Sequence, residues 1–134
     1  IILTAQAPEK IGRTTPQLRA LLPDLREIPR TSFSVWADEA ARAAISQTGR
    51  RQVLLCGFES HICLYQTAME MLAEGYQVYM VADAISSRSV YNKEIALQEL
   101  GLEGAHLTTV EMALFSLLRD ANHAQFREIA KLIR

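Results

Sequence analysis

Cysteine is scarce in this sequence. Cys56 and Cys63 are the whole supply, too few for a disulfide framework and better suited to two free thiols in a reducing, cytoplasmic compartment. No apolar run approaches the ~20 residues that a membrane helix needs, and a secretory leader is not expected before the first strand. An excess of charge is also missing: 14 basic residues face 15 acidic ones, for a net charge of −1. Neither a nucleic acid nor an anionic membrane is therefore expected as a partner. The three histidines, His61, His106 and His123, are scattered, and no Asp-x-His or clustered Cys/His spacing suggests zinc. No metal or other cofactor is expected. Internal repeats and low-complexity stretches are absent as well.

What is present is an ordinary globular balance. Hydrophobic residues make up 49% and charged residues 22% of 134 positions, enough for one core and one domain over residues 1–134. The chain opens on the apolar run Ile1-Ile2-Leu3-Thr4, without an initiator Met, and the expectation is that material upstream has been removed or left out. Ala5 to Pro16 reads as a loop, Gln17 to Leu22 as one or two helical turns, and Pro29 imposes an extended approach to Arg30. A helix is predicted over Asp38 to Thr48, stopped by Gly49. Arg51 to Phe58 is the kind of continuous apolar stretch found in strands buried on both faces.

After Gly57 a helix is predicted over His61 to Ala73, then a strand over Tyr76 to Ala84. A helix over Val90 to Leu100, a strand over Ala105 to Val110, and helices over Glu111 to Arg119 and His123 to Ile133 complete the pattern. Strands alternating with helices at this spacing imply an α/β fold with a mainly parallel sheet covered by helices on both sides. Sites in such sheets form beyond the carboxyl ends of the strands. That rule singles out 57–62, 83–88 and the residues after Thr4.

The run Cys56-Gly57-Phe58-Glu59-Ser60-His61-Ile62-Cys63 has the logic of a nucleophile elbow. A strand delivers the chain to the top of the sheet, Gly57 permits a sharp turn, and Cys63 lands in the first turn of the next helix. There the unpaired amides and the positive dipole end favour thiolate over thiol, and can hold an oxyanion formed by attack of the sulfur. On position alone a buried, inert cysteine packed on the sheet fits equally well.

The wider stretch Gly57-Phe58-Glu59-Ser60-His61-Ile62-Cys63-Leu64-Tyr65-Gln66-Thr67 resembles the cysteine motif of the isochorismatase-like hydrolases, the superfamily that includes nicotinamidases. It is most similar to the branch of isochorismatase domain-containing proteins. The likeness continues through Val81-Ala82-Asp83-Ala84, Ser86-Ser87-Arg88-Ser89 and Leu107-Thr108-Thr109-Val110-Glu111. Thr4-Ala5-Gln6 with Gly12 and Pro16, and Arg30-Thr31-Ser32-Phe33-Ser34, extend it over nearly the whole chain.

The resemblance implies a three-layer α/β/α sandwich of Rossmann-like build, lacking within these residues the family's first strand and helix. It also implies a small-molecule substrate and a homo-oligomer. The family's triad is Asp, Lys and Cys. Cys63 matches the nucleophile, the backbone amides of Glu59 and Cys63 match the oxyanion hole, and the Phe58–Glu59 peptide matches a cis bond. The triad Lys falls on Arg30, whose guanidinium keeps the charge but presents a wide planar fork and stays protonated. The triad Asp belongs to a strand that would precede Ile1.

Phe33 and Trp36, following Arg30, are candidates to wall a pocket for a small planar or apolar substrate, and equally for plain packing. His61 reads as a helix-start residue, and Asp83 as either a site residue or a cap for the next turn. The leading function is a cysteine-dependent hydrolase of a small amide, ester or vinyl-ether-type substrate. The alternative is a catalytically weakened binding or oligomeric module, because of Arg30. A thiol redox protein is a third reading. It is disfavoured because the spacing is not Cys-x-x-Cys and Cys56 is expected to point into the sheet.

Overall fold

A computed structural model describes residues 1–133. The chain runs β1 (Leu3–Gln6), α1 (Pro8–Ile11), α2 (Pro16–Leu21), β2 (Glu27–Arg30), α3 (Glu39–Gln47) and β3 (Gln52–Phe58). A wide π-helical turn over Ser60–Leu64 leads into α4 (Tyr65–Ala73), followed by β4 (Gln77–Ser86), α5 (Val90–Leu102), β5 (His106–Thr108), α6 (Val110–Leu118) and α7 (Phe126–Leu132). All strand pairings are parallel, as βαβ alternation requires. They fall into two ladders, β1–β2 and β3–β4–β5. This is an α/β sandwich, as the sequence predicts.

The helices form where apolar residues recur on one face. Leu64, Ala68 and Met71 line one side of the α4 region and Ala96 and Leu100 one side of α5, all nearly or fully buried. They close over Val78 and Met80 of β4, with Ile45 of α3, Tyr76, Ile85 and Ala105 completing the core. Burying each large apolar side chain of this set stabilises the fold by about 1.5–3 kcal/mol. Side-chain caps fix three helix starts: Asp38 accepts from the Ala41 amide, Ser89 from Asn92 and Thr109 from Met112.

Two expectations need correction. The segment read as a loop after Thr4 contains the end of β1 and a short helix, because Pro8 is well placed in a first helical turn. And β3 is not buried on both faces. Leu54 is 52% and Phe58 62% exposed, with Cys56 exposed between them. Among the described residues the face that carries Leu54, Cys56 and Phe58 is left largely open, and β3 is also the edge of its ladder.

Candidate active site

The site is built at the carboxyl ends of β3 and β4. Gly57 has φ of 120°, a conformation that L side chains rarely adopt, and the following Phe58–Glu59 peptide is cis, as the resemblance implies. Cys63 sits within the wide turn and is 8% exposed. The turn is stitched to the exit of β4. The Ser60 amide donates to Ser87 Oγ at 3.1 Å, Ser60 Oγ donates to the Ser86 carbonyl at 2.9 Å, and His61 Nδ1 lies 2.9 Å from Ser87 Oγ. The Glu59 carboxylate is committed too: its Oε1 accepts from the Arg88 amide at 3.1 Å and faces Arg88 Nε at 3.2 Å.

On its other flank the turn meets the loop after β2. Thr67 Oγ donates to the Cys63 carbonyl at 2.6 Å and accepts from the Val35 amide at 2.8 Å, while Ser34 Oγ donates to Glu70 Oε2 at 2.5 Å. Arg30 organises that loop from inside. It is 7% exposed, and its Nη1 donates to the carbonyls of Ser32 and Phe33 (2.9 Å for Phe33) and to Gln6 Oε1 at 2.5 Å, with Nε reaching Thr4 Oγ at 3.4 Å. No hydrogen bond joins Arg30 to Cys63; the guanidinium reaches the cysteine turn through Ser34 and Val35.

Phe33 is 54% exposed on this loop. Trp36 is elsewhere. Its ring meets Tyr76 edge-on at 5.0 Å between centroids, and Tyr76 stands immediately before β4. Because β3 and β4 are parallel, that is the opposite end of the sheet from Cys63. A cleft of about 400 Å³ there is lined by Trp36, Arg50, Arg51, Glu74 and Tyr76. Trp36 is thus not brought together with Cys63 and Phe33 as expected: the turn after Ser34 carries the indole onto the core instead. Asp83 is a cap, its Oδ1 accepting from the Val110 amide at 2.8 Å. Cys56 does not point into the sheet; it lies on the uncovered face of β3.

A family model for the isochorismatase domain matches residues 5–112. The chain belongs to the isochorismatase family. It is 41% identical to isochorismatase domain-containing protein 2 of Xenopus laevis over 133 residues, covering 99% of this chain and 64% of the relative. A secreted isochorismatase effector of Phytophthora sojae is 36% identical, covering 100% of this chain and 66% of the relative. Among solved structures, a MAR1 ribonuclease from Caenorhabditis elegans superposes with a TM-score of 0.89 at 33% identity, over 98% of this chain and 68% of that one. An octameric hydrolase of unknown specificity from Escherichia coli gives 0.85 at 26% identity, over 98% and 71%. The chain thus spans just under two thirds of the length of these two curated relatives.

Within the isochorismatase frame, Ser60, Thr67 and Ser87 brace the cysteine turn, a role that their place in the matching stretches does not specify, and Lys93 of α5 bonds the Ala82 and Ile85 carbonyls of β4. Ser60, Thr67 and Ser87 lie in stretches that carry the resemblance, without a role of their own there; Lys93 carries no signal, because it acts by bonding backbone carbonyls 8 and 11 residues back in the chain. Among the described residues no cluster of three or more His, Cys, Asp or Glu is placed to hold a metal ion, and no helix is long and apolar enough to cross a membrane.

Proposed function

We propose that the protein is a cysteine-dependent hydrolase of a small molecule bearing an amide, ester or vinyl-ether group, with Cys63 as the nucleophile. The observation that carries this reading is the bracing of the Cys63 turn on both flanks, by Ser86 and Ser87 on one side and Thr67 on the other. Such bracing holds a nucleophile and its neighbouring amides in one geometry, which is what transition-state stabilisation requires. Family membership supports hydrolysis as the reaction class. In the acyl case Cys63 Sγ bonds to the carbonyl carbon while the Glu59 and Cys63 amides hold the oxyanion. The C–N or C–O bond then breaks, the leaving group takes the proton, and water cleaves the thioester to release the acid and restore the thiol. Proton movement falls to the acidic residue that the family carries on a strand ahead of β1. Phe33 walls the entrance, and Arg30 shapes the pocket by fixing the Ser32–Phe33 loop while placing a positive charge behind it. Residues 1–134 belong to one hydrolase domain, which works in the cytoplasm and as a homo-oligomer.

The test is hydrolysis of a panel of small amides and esters by the wild type, Cys63→Ser and Cys56→Ser, with intact-mass trapping of the acyl intermediate. Cys63→Ser is expected to lose about 10³-fold or more in kcat and to show no thioester, while Cys56→Ser keeps full activity. RNA belongs in the panel because one structural relative is named a ribonuclease. RNA cleavage that survives Cys63→Ser would overturn the cysteine reading. Substrate binding without turnover in every form would favour the non-catalytic module.

A further inference from the structure

We propose that Lys93 is a positioning residue for Cys63, acting through the exit of β4; the inference rests on Cys63 as the working thiol. The β3–β4 ladder is broken just below the site. Leu55 pairs with Met80, but the next partners are Gly57 and Ile85, so Cys56 on one strand stands against the four residues Val81–Ala84 on the other. Such a bulge frees backbone carbonyls that a regular ladder would occupy. The half-buried Lys93 of α5 fills the gap: Nζ donates to the Ala82 carbonyl at 2.6 Å and to the Ile85 carbonyl at 2.9 Å.

One of those carbonyls lies within the bulge and the other just past it, and the very next residues hold the cysteine turn. Ser86 accepts from Ser60 Oγ, Ser87 Oγ accepts from the Ser60 amide, and the Arg88 amide donates to Glu59. Helix α5 itself packs against the Ser60–Leu64 turn. One ammonium therefore fixes the path of a strand end that has lost its ladder, and that strand end fixes the turn carrying Cys63. Charge-assisted bonds to carbonyls are stronger than neutral ones, so this anchor is worth more than the two ladder bonds it replaces. No other lysine does this: Lys10 and Lys131 are exposed.

Amide hydrogen exchange in wild type, Lys93→Met and Lys93→Arg tests the claim. Lys93→Met keeps the stem and loses the donors. It should speed exchange at the Ser60 and Arg88 amides by about tenfold and leave the Met71 amide within about twofold of wild type. Lys93→Arg restores protection. Equal protection of Ser60 and Arg88 in wild type and Lys93→Met overturns the proposal, as does uniform loosening that includes Met71. Should Lys93→Met fail to fold, reductive methylation of the wild type with formaldehyde decides. Lys93 should react about tenfold more slowly than Lys10, and equal rates overturn the claim. Turnover enters neither reading, so a protein that hydrolyses nothing refutes the proposed function and leaves this anchor to be judged by exchange. Where hydrolysis is measured, Lys93→Met lowers kcat about tenfold with KM within about twofold, and a rise in KM at constant kcat counts against positioning.

Discussion

At the scale of single residues, the two cysteines differ in accessibility, and Cys56 does so against what its sequence context suggests. Cys56 ends an apolar run yet is exposed, and Cys63 follows a polar turn yet is 8% exposed. Accessibility and function are therefore separate questions here, and rapid alkylation of Cys56 says nothing about which sulfur is the nucleophile. Arg30 is the second instructive residue. Its Nε and Nη1 are engaged by the Ser32 and Phe33 carbonyls, Gln6 and Thr4, so these donors hold the loop. Arg30→Met should lower the unfolding free energy by about 2–3 kcal/mol in urea melts, because charge-assisted bonds are lost and buried acceptors stay behind. Arg30→Lys should lose about half of that, since one ammonium cannot span the same acceptors. Equal stability of all three forms would show that the loop is held without the guanidinium.

At the scale of elements, α4 is tied to the loop after β2 through Thr67 and Glu70, and the Thr67 hydroxyl also reaches the cysteine turn. Thr67 Oγ both donates to the Cys63 carbonyl and accepts from the Val35 amide, and Thr67 is fully buried. Thr67→Val keeps the shape and removes both bonds, leaving the Val35 amide unpaired inside the protein. The expected cost is about 1–3 kcal/mol by chemical denaturation. Thr67→Ser should recover most of it. Helix α6 offers a sharper separation of structure from chemistry. Asp83 caps it by accepting from Val110, so Asp83→Ala should cost about 1 kcal/mol of stability while kcat stays within about twofold. A large loss of kcat in a folded Asp83→Ala protein would instead make Asp83 a site residue.

At the scale of the whole molecule, the parallel sheet is divided, and β3 presents an edge together with the exposed side chains of Leu54, Cys56 and Phe58. Long apolar edges are covered in native assemblies or they promote association. The 134-residue chain is therefore expected to associate in solution, with a mass by light scattering above the 15.0 kDa of one copy. Leu54→Lys, at the centre of the exposed face and remote from the cysteine turn, should shift it toward the monomer. A wild type that stays monomeric at high micromolar concentration would rule out this face as an interface.

The sequence by itself determined the α/β alternation, the parallel sense of the strands and the position of Cys63 beyond a strand end. Those features are local or periodic: apolar period, Gly57 and Gly75 as breaks, and a motif contiguous in the chain. It also carried the family, because the cysteine motif and its companions lie in short unbroken runs. Only the tertiary structure decided which faces are covered. The exposure of Cys56 depends on which face of β3 other elements pack over, a property of tertiary packing that no window of residues contains. The displacement of Trp36 to the far end of the sheet depends on where the loop after Ser34 is pinned by Thr67 and Glu70, 32 and 36 residues away. The bulge in β4 and its lysine were invisible for the same reason. Val81–Ala84 reads as ordinary strand, and the irregularity arises only when the ladder partner of Gly57 turns out to be Ile85, leaving two carbonyls that a helix residue eight to eleven positions later must satisfy.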